Sequence, residues 1–109
     1  IAIDETIELK IDGLDAHTSQ MYEWLPWTNG GDASVAKIPT SPKERRAWLA
    51  ERTKKRSGNI DSKKQATLVK WYGENTAKKV KYVESFEVAE YGFQPSEKDI
   101  REFFPMLKN

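Results

Sequence analysis

Residues 4–25 read DETIELKIDGLDAHTSQMYEWL, and this stretch gives the clearest indication of a helix in the chain. Its apolar residues recur at steps of three and four residues with one gap at Thr18, which is the spacing of an amphipathic helix. Asp4 suits the N-cap, and Gly13 marks either a close backbone approach or a tolerated surface glycine. The pattern predicts a helix from Asp4 to about Met21, with its apolar stripe formed by Ile7, Ile11, Leu14, Met21 and Leu25.

Two capping patterns predict two further helices. The sequence SPKE at residues 41–44 places Ser at the N-cap, Pro at the first helical position and Glu at the third. This helix is expected to continue to about Lys55 and to stop at Gly58. The sequence SKKQ at residues 62–65 repeats the capping pattern and predicts a third helix, which ends somewhere in residues 72–79.

The connecting segments complete the expected fold. Pro26 and the turn-forming residues after it predict a loop from about Trp27 to Thr40. Residues 80–91 mix period two with β-branched and aromatic residues, which favours a short strand or extended segment, with a helix as the alternative. Ser96 is expected to cap a final short helix that runs to Phe104. The sequence thus predicts a mainly α fold, α+β at most, with three to four helices and one short strand or extended segment.

Composition limits the chain to one unit with a small core. Its 109 residues fit a single helical lobe over residues 1–109 without an internal boundary, and a 38% apolar content that leans on aromatics suggests packing against something else. With no cysteine and only His17, a Cys or multi-His metal cage is excluded, and the lack of cysteine fits a cytoplasmic location. No apolar run is long enough for a membrane span. Because the chain begins at Ile1 without an initiator Met, we expect further sequence upstream.

The candidate binding residues of the first segment are one histidine and a group of aromatics. His17, beside Ser19 and Gln20, is either a hydrogen-bonded structural residue or a group that positions a proton or a polar substrate atom. Trp24 and Trp27, with Tyr22, either line a sugar or partner surface or form the core plug between the first helix and the rest.

Charge is distributed unevenly along the chain. Residues 1–40 carry seven acids and two bases, whereas residues 41–64 carry three acids and nine bases. The basic part makes Arg45, Arg46 and Arg52 candidates for binding an anionic ligand. The alternatives are a solvated helix face or a face that pairs with the acidic N-terminal segment. A scarcity of aromatic readout residues argues against nucleic acid as the partner.

Four stretches carry a resemblance to a known family. They are KIDGLDAHTSQ at residues 10–20, MYEWLPW at 21–27, YVESFEV at 82–88 and EYGFQPS at 90–96, together about a third of the chain. This pattern resembles the C-terminal part of LmbE/PIG-L family deacetylases, in the long variant found in bacterial homologues. In the family, a Lys precedes an apolar-Ala-His-x-Ser-Gln run on a helix.

The resemblance implies the tail of a larger α/β enzyme. Family members have a Rossmann-like N-terminal region whose His-Pro-Asp-Asp motif and a later His bind zinc for N-deacetylation of a sugar. Those residues are absent here, so the chain is expected to hold no cofactor and to be inactive alone. The implied partners are the catalytic lobe of the same protein and an N-acetyl sugar, with self-association left open. The implied pocket-rim residues are His17, Ser19, Gln20, Trp24 and Trp27.

Two other functions remain alternatives at this point. One is a helical module that binds a protein or an anionic ligand. The other is an independent enzyme with a carboxylate site drawn from Glu84, Glu87 and Glu90, although acids spaced in this way are typical of a surface.

Overall fold

The structure, a computed structural model, describes residues 1–107. Within these residues it is mainly helical, as predicted, with six α-helices where three to four were expected. The helices are α1 (Ile7–Asp15), α2 (Leu25–Val35), α3 (Pro42–Ser57), α4 (Ser62–Tyr72), α5 (Glu74–Ala77) and α6 (Glu97–Phe103). A π-helical segment (Gln20–Trp24) precedes α2, and a 3₁₀ turn (Pro105–Leu107) follows α6.

The long first helix was predicted wrongly, because the chain breaks it in two. Helix α1 begins at Ile7 and ends at Asp15, and the chain becomes helical again only after His17. Residues 16–20 are all exposed, so no side chain ties the backbone to the core where the apolar stripe has its gap. Asp4 is not the N-cap; its carboxylate accepts a hydrogen bond from the Lys81 amide at 2.9 Å.

The predicted loop after Pro26 is largely helical. Pro26 lies in the first turn of α2, directly after the π-helical segment. The change of direction falls later, at Gly30 and Gly31, whose backbone leaves the helical conformation. Gly31 has a φ of 62°, which favours glycine. The turn residues were therefore identified correctly, but the helices on either side of them were missed.

Helices α3 and α4 form where local capping predicts them. In α3 the Ser41 hydroxyl accepts the Glu44 amide at 3.3 Å and donates to the Glu44 carboxylate at 2.6 Å. In α4 the N-cap is Asp61 rather than Ser62, because the Asp61 carboxylate accepts the Lys64 amide at 2.8 Å. The prediction missed this start by one residue.

The C-terminal part combines an extended segment with the last helix. Residues 80–89 contain no helix, so the helical alternative for this segment is wrong. Val83 forms an antiparallel bridge with Ala2, flanked by a hydrogen bond from the Ile3 amide to the Tyr82 carbonyl at 2.9 Å. Helix α6 starts with the predicted Ser96 cap, which is part of a reciprocal capping box, and ends one residue before Phe104.

The core is small and divided into three clusters. Among the described residues, Ile11 is the only large side chain that is completely buried. The radius of gyration is 17.0 Å, whereas a compact domain of this length has about 13 Å. The chain is therefore an elongated lobe. Its buried clusters are Ile3, Ile7 and Ile11; Tyr22, Ile38 and Leu49; and Leu68, Ala77 and Val83.

Candidate functional site

The predicted motif residues His17, Ser19 and Gln20 lie in the break between α1 and the π-helical segment. All three are exposed. The turn is held by its backbone, since the His17 amide donates to the Leu14 carbonyl at 3.0 Å and the His17 carbonyl accepts the Met21 amide at 2.9 Å. In residues 1–107 none of the three side chains makes a hydrogen bond, so the interpretation of His17 as a hydrogen-bonded structural residue is wrong.

The aromatic residues of this region divide into one core residue and two surface residues. Trp24 and Trp27 are each 55% exposed and lie on successive turns of helix. Tyr22, by contrast, is 2% exposed, and its hydroxyl donates to the Asp15 carboxylate at 2.5 Å. Burial, followed by this hydrogen bond, raises the pKa of Tyr22. The interpretation of these aromatics as core residues is therefore confirmed for Tyr22 and wrong for Trp24 and Trp27.

We call His17, Ser19, Gln20, Trp24 and Trp27 the rim surface. It offers two indole rings for stacking and an imidazole, a hydroxyl and an amide for hydrogen bonds. None of these side chains lines the groove at α4 or the shallow pocket at Asp15 and Pro42. Since the five side chains are exposed, a second surface is needed to enclose a small ligand against them.

Arg46 binds the acidic helix α1 instead of lying free. Its guanidinium contacts the Asp12 carboxylate at 2.5 Å and the Glu8 carboxylate at 3.2 Å, and Lys54 contacts Glu8 at 2.5 Å. These cations, Lys54 first, hold the pKa of Glu8 below its ordinary value, and the Asp12 and Glu8 bonds raise the pKa of Arg46. The alternative in which the basic part faces the acidic N-terminal segment is thus confirmed for this residue.

The other two arginines stack on aromatic rings. The Arg45 guanidinium lies 5.4 Å from the centroid of the Tyr22 ring and donates to the Pro39 carbonyl at 2.9 Å. Arg52 lies 4.7 Å from the centroid of the Trp48 ring. Since the three arginines make separate contacts, the structure does not bring them together as one anion site.

A second feature, which the sequence interpretation missed, is an apolar groove of about 850 Å³ between α4 and residues 83–107. One wall carries Trp71, whose ring is flanked by Lys70 and Arg101 at 5.1 and 5.0 Å from its centroid. Another carries Phe86, which packs on Phe104 at 5.5 Å. The signal in the sequence was the number of aromatics in the last third, which exceeds what one short helix can bury. The exposed apolar side chains of the groove are Phe86, Val88, Phe93 and Phe103.

The remaining candidate chemistry was sought across the described residues. No group of three or more His, Asp or Glu side chains in residues 1–107 is placed to hold a metal ion. Of the acids considered for a carboxylate site, Glu84 is bound to Lys10 at 2.6 Å, while Glu87 and Glu90 are exposed. None of the helices described in the structure has the length and apolarity needed to cross a membrane.

Comparison with family models, with characterised proteins and with solved structures gives no match to this chain. The resemblance to LmbE/PIG-L deacetylases therefore depends on the quoted residues alone.

Proposed function

We propose that this chain is the helical C-terminal lobe of a zinc-dependent sugar N-deacetylase of the LmbE/PIG-L type. In this proposal the lobe packs against an α/β catalytic lobe, supplies one wall of the substrate entrance and is inactive alone. The observation that carries it is the exposure of the rim surface, because its five residues belong to the stretches that carry the resemblance and are open to a second surface. The lack of cysteine supports a cytoplasmic location.

The size of the core supports a lobe that needs a partner surface. Residues 1–107 bury ten apolar side chains, nine of them divided among three separate clusters, while ten large apolar side chains remain exposed. Small domains bury a smaller fraction of their surface than large ones and are only marginally stable. Covering part of the exposed aromatic surface with a second lobe adds the burial that this core lacks.

The rim surface suits a sugar in its chemistry. Indole rings pack against the apolar face of a pyranose, and the imidazole and amide of His17 and Gln20 can bond to hydroxyl or acetamido groups. The residues of this lobe do not fit a zinc site, as no cluster of ligands exists in the part described. We therefore assign to the lobe binding and positioning of the sugar, and no step of the hydrolysis.

The proposal is tested by complementation. A catalytic lobe of an LmbE/PIG-L deacetylase, produced without its own C-terminal part, is mixed with this chain, and release of acetate from an N-acetylglucosamine derivative is measured. We expect the chain to bind the catalytic lobe and to restore deacetylation.

Variants separate packing from a role at the entrance. We expect Trp24→Ala and Trp27→Ala each to raise KM by about twofold to tenfold, because each removes one aromatic stacking contact. The effect of either variant on kcat should be smaller. Leu9→Ala is the matched control, since Leu9 is also an exposed apolar residue but lies outside the rim surface. Absence of binding and of restored activity refutes the proposal, and an equal effect of the Leu9 variant refutes the role of the rim.

The alternative of a module for anionic ligands receives less support. Arg46 is occupied by two carboxylates, and Arg45 and Arg52 stack on separate rings. An affinity for a polyanion such as heparin that falls steeply with salt concentration would favour this alternative over the proposal.

A further inference from the structure

The apolar groove beside α4 has the dimensions and the lining of a small-molecule site. Its volume is about 850 Å³, and ligand pockets usually enclose roughly 300–1,000 Å³ behind mostly apolar and aromatic side chains. Buried side chains line its deepest part, and exposed aromatic side chains surround its opening. The buried ones are Leu68, Val83 and Leu107, and the exposed aromatic ones are Phe86, Phe93 and Phe103. A ligand that fills the groove therefore removes apolar surface from water.

Two helices direct one side each towards this groove. On α4 the lining residues Lys64, Leu68 and Trp71 are three or four positions apart, which places them on one face. On α6 the lining residues Ile100 and Phe103 share a face in the same way. The extended segment, through residues 83–88, supplies a third wall.

The cations that line the groove lie at one end of α4. Within residues 1–107 they are Lys63 and Lys64, both in the first turn of that helix. Lys64 donates to the Asn59 carbonyl at 2.6 Å, whereas none of the ion pairs of these residues includes Lys63. Lys70 and Arg101 lie elsewhere and do not line the groove. Lys63 therefore marks the end of the groove at which a negative group of a ligand can pair.

Two of the three acids in the lining are engaged by other groups. The Asp61 carboxylate accepts the Lys64 amide at 2.8 Å as the N-cap of α4, and Glu84 is paired with Lys10 at 2.6 Å. Glu87 is exposed and takes part in none of the ion pairs of residues 1–107. Because a carboxylate repels an anion, removal of the Glu87 charge must not weaken the binding of an anionic ligand.

We propose that the groove binds a free medium-chain fatty acid, with its carboxylate at Lys63 and its chain along α4 towards Trp71. These two residues are eight positions apart, which is about 12 Å at a rise of 1.5 Å per residue. An extended hydrocarbon chain advances roughly 1.25 Å per carbon, given a C–C bond of about 1.5 Å, so about ten carbons span this distance. A single anionic end and an otherwise apolar body match the distribution of charge along the groove. None of the rim-surface residues takes part, so the inference does not rest on the deacetylase proposal.

The test is isothermal titration calorimetry of the whole chain with decanoate, below the concentration at which decanoate forms micelles. We expect octanoate to bind about fivefold to fifteenfold more weakly, because each buried methylene contributes a factor of up to about four. Decanol has the same chain without the charge, so its affinity should be about twofold to fivefold lower. Decanoate brominated at its last carbon should quench the fluorescence of Trp71, and the isomer brominated at its second carbon should not. Trp71→Phe identifies this ring among the four tryptophans, because it should abolish the quenching.

Variants separate the charge from the apolar lining. Lys63→Gln should weaken decanoate binding about twofold to fivefold and leave decanol binding unchanged. Lys98 is an exposed lysine of α6 outside the groove, so Lys98→Gln should change neither affinity. Glu87→Gln should not weaken decanoate binding. Phe86→Ala should weaken the binding of both ligands about twofold to tenfold, with Tyr91→Ala as the control because Tyr91 is 88% exposed and lies outside the groove.

Absence of decanoate binding by the unaltered chain overturns the inference, and so does a Lys63→Gln variant that binds decanoate as tightly as the unaltered chain. Affinity for phosphatidylglycerol vesicles without affinity for free decanoate overturns it in favour of a membrane surface. Self-association that Phe86→Ala abolishes, again without affinity for decanoate, overturns it in favour of a second copy of the chain.

Discussion

Replacement of Ile11 by alanine should remove a large part of the stability of this lobe. Ile11 is 0% exposed and packs with Ile3 and Ile7, and Ala50 and Tyr82 close the cluster. The substitution removes three buried carbons, worth about 2.4 kcal/mol at roughly 0.8 kcal/mol each, and adds the cost of the cavity left behind. We expect a loss of about 3 kcal/mol. With so small a core, the unfolding free energy of the lobe should lie near the low end of the ordinary range, at about 5 kcal/mol. The substitution should therefore remove more than half of that unfolding free energy.

The assay is urea unfolding followed by tryptophan fluorescence and by far-ultraviolet circular dichroism. Leu9→Ala is the matched control, because Leu9 lies on the same helix and is 70% exposed. It should change the unfolding free energy by less than about 0.5 kcal/mol. In thermal unfolding Ile11→Ala should lower Tm by roughly 10 °C or more. If the two variants lose the same stability, or Ile11→Ala loses less than about 1 kcal/mol, α1 does not pack as described.

Three other predictions concern helix positions. Gly13→Ala should stabilise the lobe by about 0.4–1 kcal/mol, since an added Cβ meets no atom within 4 Å. Gly73→Ala should instead cost about 1–3 kcal/mol, because φ is 78° there. Thermal melting should therefore show a higher Tm for the first variant and a lower Tm for the second. The folded state lowers the pKa of Glu8, so the stability it contributes is present above its ordinary value of 4.5 and is lost as pH falls below it. Glu8→Gln should accordingly lose less stability than the unaltered chain between pH 5 and 3 in urea titrations, and parallel pH profiles would contradict this. Asp61→Ala should lower the unfolding free energy by about 1 kcal/mol, whereas Ser62→Ala should leave it almost unchanged. The midpoints of urea unfolding distinguish the two variants, and a larger loss for Ser62→Ala would show that Ser62 is the N-cap.

Local signals predicted the elements whose ends are fixed by neighbouring residues. The caps at Ser41 and Ser96 hydrogen-bond to residues three positions later, so the sequence contains both partners of each bond. Helices α3 and α6 were therefore found within a few residues. The start of α4 was missed by one position because Asp61 and Ser62 both suit an N-cap, and only the geometry separates them.

The first helix could not be predicted as it is, because its break depends on distant parts of the chain. Periodicity shows that Ile11 and Met21 face a core, but not that these belong to two different clusters. The break at His17 lets the chain reach the second cluster, where Tyr22 packs with Ile38 and Leu49. Apolar spacing reports the face of a helix and not which element covers it.

In the candidate site, too, local features could be predicted from the sequence, whereas contacts between distant residues could not. The rim surface is made from one short stretch, so its residues could be named from the sequence, although their exposure could not. The ion pair of Arg46 and Asp12 joins residues 34 positions apart, and the groove joins α4 to residues 83–107. Contacts of this kind are set by tertiary packing, which a motif does not describe.

The contacts of Tyr22 hold the backbone of the rim surface, and this bears on the role proposed for that surface. Tyr22, between its exposed residues in the sequence, is fixed from three sides: by the Asp15 carboxylate, by the Arg45 guanidinium at 5.4 Å from its ring centroid and by the Trp48 ring at 6.1 Å. Trp24 lies two residues further on, at the end of a π-helical turn, a distortion found frequently at functional sites. A surface whose backbone is already ordered loses little conformational freedom when a ligand or a second lobe covers it. The contacts of the buried tyrosine thus fix the turn from which the exposed tryptophans project.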